Sequence, residues 1–333
     1  MNLDNANDGT DNTDRMVAST SPLKLASDAA KGGIGAGFRT TFFMALVMVP
    51  SSLGIALLDW SGSLSWLADW LVPVTRLLGL PGEAVLVVLG SCLANIYSVI
   101  AMLGTLSLSL REMTILAVMT LTAHGLVIET RAMKRGGSSV VKMIVIRIGW
   151  AIALGWILNL LLPHEPAIMV TMTAGSARPA MLTMLAAWSL TTLGLLGKVL
   201  LLVCVLRVAQ RLMEAFNITR LLARPLEPVM QVFGLPRDSG MLWVVSNVTS
   251  YTYALALMIN QVKNGKMKTQ DVDLFNHHVA ICHNVLEDTA LFMLLGLPLF
   301  WLVIPRLVAA TMVVWSERIR RHLFRRSFRV GTA

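Results

Sequence analysis

Charge is scarce in this chain: Asp, Glu, Lys and Arg together make up 14% of its 333 residues, against roughly 25% in a soluble domain. That deficit leaves too little polar surface for an ordinary cytosolic enzyme or a nucleic-acid-binding module. Cysteine is sparse as well. The three present, Cys92, Cys204 and Cys282, all lie in apolar stretches, which argues against a secreted disulfide scaffold. Also missing are a P-loop, a dinucleotide-binding glycine fingerprint, a haem-attachment motif and a nucleophile–base–orienter set. No enzyme activity, cofactor or resident metal is therefore expected. What is plentiful is apolar surface, 55% of the residues being hydrophobic. The chain reads as an all-α polytopic membrane protein with short loops.

The net charge of +9 is distributed as the positive-inside rule requires, not as a nucleic-acid patch. Arg131, Lys134, Arg135 and Lys142 sit between two apolar runs, and Lys263, Lys266 and Lys268 fill another loop. Arg318, Arg320, Arg321, Arg325, Arg326 and Arg329 crowd the C-terminus, where 318–333 reads as a basic cytoplasmic tail facing anionic lipid. Residues 1–36, rich in Asn, Asp, Ser and Thr, read as a disordered tail without the order of a secretory signal.

Six stretches suit a span of about 20 apolar residues: roughly 41–58, 113–130, 142–161, 182–206, 272–295 and 298–316. Two others, about 83–109 and 238–262, are interrupted by Gly90, Ser91 and Asn95, and by Ser246, Asn247, Thr249 and Ser250. Treating both as re-entrant hairpins puts every basic cluster and both termini on the cytoplasmic side. The chain also repeats itself. Pro73…Gly79-Leu80-Pro81 returns 155 residues later as Pro228…Gly234-Leu235-Pro236, and Arg147 returns 159 residues later as Arg306. His124 to Glu129 corresponds to His283 to Glu287. The units, 37–163 and 180–317, start on opposite sides, so they form an inverted repeat of the kind that builds secondary transporters.

The residues that could carry chemistry follow from this plan. Ser91, Asn95 and Tyr97 in the first hairpin, with Asn247, Thr249, Ser250, Tyr251 and Tyr253 in the second, would line a polar cavity. The alternative is that they only let helices approach or bond across the bundle. His124, Glu129, His283, Asn284, Glu287 and Asp288 are costly inside a span and would bind a polar solute or carry a proton. His283 and Glu287 share a helix face; His124 and Glu129 are one residue out of line, and a bulge near Gly125 would realign them. Arg147 and Arg306 would pair with the Glu of the preceding helix in each unit, as scaffold or as a binder of a substrate carboxylate. His277 and His278 lie near enough to His283 for a weak metal reading.

On the Gly-Leu-Pro approaches, the broken hairpins, and the stretches Ala123-His124-Gly125-Leu126-Val127-Ile128-Glu129 and Cys282-His283-Asn284-Val285-Leu286-Glu287, the chain resembles the nucleoside-recognition, or Gate, domain family. That family is related to concentrative nucleoside transporters and to the membrane part of ferrous-iron permeases. The resemblance spans about residues 40–317 and implies two Gate units packed face to face, with polar hairpin tips meeting near mid-membrane. It implies no particular substrate. The expectation is a bacterial inner-membrane protein that recognises or transports a small polar solute, nucleoside-like by the family's name. Its partners would be membrane lipid and that solute, without nucleic acid, and self-association stays open. A metal or metal-chelate permease is the alternative if Cys92, Cys282 and the histidines converge. A non-transporting scaffold is the other alternative, if the hairpin tips pack dry.

Overall fold

The computed structural model describes residues 21–63, 75–82, 84–93, 96–103, 106, 108–163 and 180–330, whose regular structure is all helical, with no strand among them. The first unit comprises α1 (Pro22–Ser61), a hairpin of α2 (Ala84–Leu93) and α3 (Ile96–Leu103), α4 (Leu110–Ala123), α5 (Leu126–Arg135) and α6 (Val140–Leu161). The second comprises α7 (Met181–Ala215), the amphipathic α8 (Ile218–Val232), a hairpin of α9 (Gly240–Val248) and α10 (Tyr251–Lys263), then α11 (Thr269–Val279), α12 (Val285–Met293) and α13 (Leu299–Val330).

Among the described residues, five segments are long and apolar enough to cross a membrane: Pro22–Ser61, Leu110–Arg135, Val140–Leu161, Met181–Ala215 and Leu299–Leu323. Two expectations need correction. The first concerns the tail: residues 22–36 belong to α1, which starts at Pro22 with the Ser21 hydroxyl accepting from the Lys24 N–H. Small residues explain the extension. Ala29, Gly33, Gly37 and Thr41 recur every four residues on the buried face of α1, the spacing that lets helices meet backbone to backbone. A Cβ on Gly33 would lie 2.6 Å from the Val208 Cα, and one on Gly37 would lie 2.7 Å from the Cys204 Cα.

The second correction concerns 272–295, which is not one regular span. It is α11 and α12 with a break at 280–284, and the first unit breaks likewise between α4 and α5. The basic C-terminal segment continues α13 as far as Val330.

Both interrupted stretches fold back on themselves as hairpins. Ten-residue α2 is about 15 Å long, half the thickness of a hydrocarbon core. A Cβ on Gly90 in α2 would lie 2.7 Å from the Met102 Cε in α3; in a straight rod those residues would stand about 18 Å apart. The arms of the second hairpin, α9 and α10, also pack on each other.

The units are inverted, and side-chain contacts give the direction. Along α1, residues 33, 37 and 52 meet Val208, Cys204 and Trp188 of α7, whose numbers fall as those of α1 rise. The leading helices of the two units therefore run antiparallel. The closing helices also meet, Lys142 near the start of α6 pairing with Glu317 beyond the middle of α13. Both Gly-Leu-Pro turns are the same helix stop. Gly79 (φ 63°) and Gly234 (φ 73°) adopt the left-handed conformation. The following Leu80 and Leu235 N–H groups then donate back to Thr75 and Met230 carbonyls at 3.0 and 2.8 Å, the six-to-one bond of a Schellman motif.

Candidate functional site

The breaks in the two spans create the site. After α4 the chain turns at His124 and enters α5 through Gly125, at φ 54°; after α11 it turns at His283 and enters α12 through Asn284, at φ 47°. Each left-handed residue donates its N–H to the hairpin of its own unit, Gly125 to the Ser91 carbonyl at 2.8 Å and Asn284 to the Ser246 carbonyl at 3.3 Å. Breaking a helix strands carbonyls at its C-terminal end, where the backbone dipole is negative. A buried arginine collects them in each unit. Arg147 donates from Nε to Thr122 O (3.0 Å) and from Nη2 to His124 O (2.6 Å). Arg306 donates to Ile281 O (3.4 Å) and His283 O (3.2 Å) in the same pattern.

This register realigns the acids. An offset of 159 relates His124 to His283, Gly125 to Asn284 and Arg147 to Arg306, so Glu129 corresponds to Asp288 and not to Glu287. The bulge expected near Gly125 is instead a full helix break. The expected ion pair forms in the first unit, Arg147 Nη1 lying 2.7 Å from Glu129 Oε2. It does not form in the second: Arg306 Nη1 is buried without a hydrogen-bond partner among the described residues, and Glu287 turns elsewhere, accepting from the Tyr97 hydroxyl at 2.8 Å and pairing with Arg207 at 3.3 Å.

The two units meet at the histidines. The rings of His124 and His283 lie 5.1 Å apart, and their Nε2 atoms both face Glu129 Oε1, at 3.1 and 3.2 Å. Asp288 Oδ2, buried and without a hydrogen bond among the described residues, lies 3.8 Å from His124 Nε2. Each Nδ1 sits against a carbonyl one turn back, Thr120 O at 3.0 Å and Val279 O at 2.7 Å. A carbonyl can only accept, so both Nδ1 atoms carry hydrogen and both Nε2 atoms are turned inward. Glu129, at 19% side-chain exposure, is the member closest to solvent.

The other expected residues divide between framework and periphery. Ser91 and Asn247 hold the breaks: the Ser91 backbone receives Gly125, and the Asn247 Oδ1 accepts from the Val285 N–H at 3.4 Å, capping α12. Thr249 ends α9, and Ser250 caps α10 through its hydroxyl on the Thr252 N–H. Tyr251 lies 6.3 Å from the His283 ring and donates to Asn276. Tyr253 is 52% exposed. Asn95 lies outside the described residues. The histidines before the second break do not join the centre: His278 accepts from the Trp243 indole at 3.0 Å, while His277 belongs to a second cluster with Asp273 and Glu317. Among the described residues neither Cys92 nor Cys282 enters a metal-ligand grouping. The sequence reading passed over Arg207, whose position at the end of a span made it look like one more cytoplasmic charge. It also missed the ligand spacing of His124, Glu129 and His283, which come from both units and show no local motif.

An all-α, polytopic membrane protein built of two inverted units around a buried His–carboxylate–Arg centre is the class these features define. The chain is 32% identical over 289 residues, 85% of its length, to the uncharacterized membrane protein YvoD of Bacillus subtilis, of which it covers 92%. It belongs to the same family of membrane proteins. No protein-family model matches the chain, and no solved structure matches it significantly.

Proposed function

We propose that this protein is a bacterial inner-membrane carrier for a small polar solute, held where the two inverted units meet. One observation carries the reading most of the way. Two histidines and two arginines, one of each from either unit, are buried with Asp288 at paired helix breaks, and Glu129, 19% exposed, lies against both histidines. Ionisable groups are expensive at membrane depth and are retained where they handle a substrate or ion. Broken helices on the axis between inverted repeats are where secondary transporters hold their cargo. The resemblance to Gate-domain proteins supports a nucleoside-like cargo, and the basic loops support cytoplasmic termini.

The test is uptake of labelled nucleosides into proteoliposomes, with Glu129→Gln in parallel. Saturable uptake that falls at least tenfold in the variant supports the reading. No uptake of any nucleoside, or full activity in Glu129→Gln, rejects it and favours a non-transporting scaffold.

A further inference from the structure

We infer that the centre is a binding site for one divalent transition-metal ion, with His124 Nε2, His283 Nε2 and Glu129 Oε1 as ligands and Asp288 in reach as a fourth. The inference rests on reading the centre as a binding site, but not on transport or on a nucleoside cargo.

The argument starts from hydrogens. Both imidazoles spend their Nδ1 hydrogen on a backbone carbonyl, which leaves each neutral ring with a bare lone pair on Nε2. Both lone pairs face the same carboxylate oxygen at 3.1 and 3.2 Å. Three electron-rich atoms do not converge at such distances unless something positive lies among them. A single proton cannot serve both histidines, and a proton on each would put two imidazolium rings 5.1 Å apart beside the buried Arg147 guanidinium.

A metal ion resolves the arrangement, and the dimensions suit one. Bonds of about 2.0–2.2 Å at a tetrahedral angle separate neighbouring ligand atoms by about 3.3–3.6 Å. All three donors lie within 4.8 Å of one another, and the two nitrogen–oxygen separations fall just short of that edge. Imidazole Nε2 with Nδ1 fixed on a carbonyl is the way metal-binding histidines are oriented. Arg147 fixes Glu129 in the same manner through its other oxygen, at 2.7 Å. Asp288 Oδ2, buried and without a hydrogen bond among the described residues, 3.8 Å from His124 Nε2, is the carboxylate that the internal symmetry supplies opposite Glu129. Two imidazoles with carboxylate suit zinc, ferrous iron, cobalt or manganese and disfavour magnesium and calcium, which prefer all-oxygen sites.

The experiment uses the full chain in detergent, stripped with chelator and titrated with Zn2+ and, as a spectroscopic probe, Co2+. One equivalent bound, with a visible ligand-field band for Co2+, is the expected result; Mg2+ should not compete. His124→Ala and His283→Ala should each weaken binding at least tenfold, the lower end for losing a group that supports a metal. His277→Ala in the other His–carboxylate cluster should leave it unchanged. Should the alanine variants misfold, protection of the wild-type histidines from diethylpyrocarbonate by Zn2+ reads the same site. No stoichiometric binding, or binding that survives both central substitutions, or binding lost in His277→Ala, overturns the inference. Nucleoside uptake by metal-free protein would leave the carrier reading standing while the metal site fell.

Discussion

The centre at His124, Glu129 and His283 and the cluster at Asp273, His277 and Glu317 both bring imidazole and carboxylate atoms within 4.8 Å of one another. What surrounds them differs. In the second cluster fixed cations take up the carboxylates: Glu317 accepts from Lys142 at 2.6 Å, from Arg320 at 2.8 Å on each oxygen and from Arg321 at 2.7 Å. Asp273 also pairs with Arg321. His277 Nε2 stands 3.9 Å from Glu317, too far for a hydrogen bond. That cluster is a clamp joining α13 to α6 and α11, its charge already neutralised. In the centre one arginine occupies one oxygen of Glu129, and the other oxygen faces two nitrogen lone pairs. The same residue types thus make a strut in one place and a receptor in the other, according to whether protein cations have already filled the gap.

The largest effect should come from the arginine that serves both the break and the acid. Arg147→Met removes the cation from Glu129 and leaves the Thr122 and His124 carbonyls unpaired in a buried setting. Breaking such a pair costs about 3–5 kcal/mol, so thermal melting in detergent should drop sharply. Arg306→Met should cost about 1–2 kcal/mol, because among the described residues Arg306 makes two longer bonds to carbonyls and no ion pair. Equal losses in the two variants would mean that the units are energetically alike and that the asymmetry between Glu129 and Asp288 carries no weight.

That asymmetry also shows where sequence reading stops. Five of the six expected spans, the repeat and the hairpins are legible because composition and spacing depend on bilayer thickness and on the 155- and 159-residue offsets. The break at 280–284 is hidden: Ala280, Ile281 and Cys282 are apolar, and what stabilises the turn is Arg306, more than 20 residues downstream. Asp288 was masked by its neighbour Glu287, which matched the expected spacing and proved to face Tyr97. Residues 22–36 read as tail because small residues carry no hydropathy signal; their value is the close approach they permit to α7. The metal-like spacing has no sequence signature, since its two histidines lie 159 residues apart and come from different units.

A smaller effect should come from the clamp, and it should depend on salt. Glu317→Gln leaves Lys142, Arg320 and Arg321 without their shared partner. Those cations are 32%, 52% and 24% exposed, so water and salt screen much of the interaction, and about 1–2 kcal/mol is expected. Melting of the wild type and of Glu317→Gln should converge as salt rises towards 1 M, while the Arg147→Met deficit should persist because that pair is buried. Metal binding at the centre should be unaffected by Glu317→Gln. A clamp variant that loses the metal would erase the distinction between strut and receptor.

The smallest effect tests the backbone that aims the histidines. Gly125 sits at φ 54° and its counterpart Asn284 at φ 47°, a region where Asn is tolerated and a Cβ without a compensating side-chain bond is strained. Gly125→Ala should therefore cost about 1–2 kcal/mol, whereas Gly125→Asn, which copies what the second unit already does, should cost a few tenths. Because His124 immediately precedes this residue, the alanine strain should also reach the centre. Metal affinity in Gly125→Ala should fall severalfold while Gly125→Asn keeps it. If both variants melted and bound alike, the left-handed turn would be an incidental feature of the break, and the aim of His124 would have to come from its bond to Thr120 and from Arg147 alone.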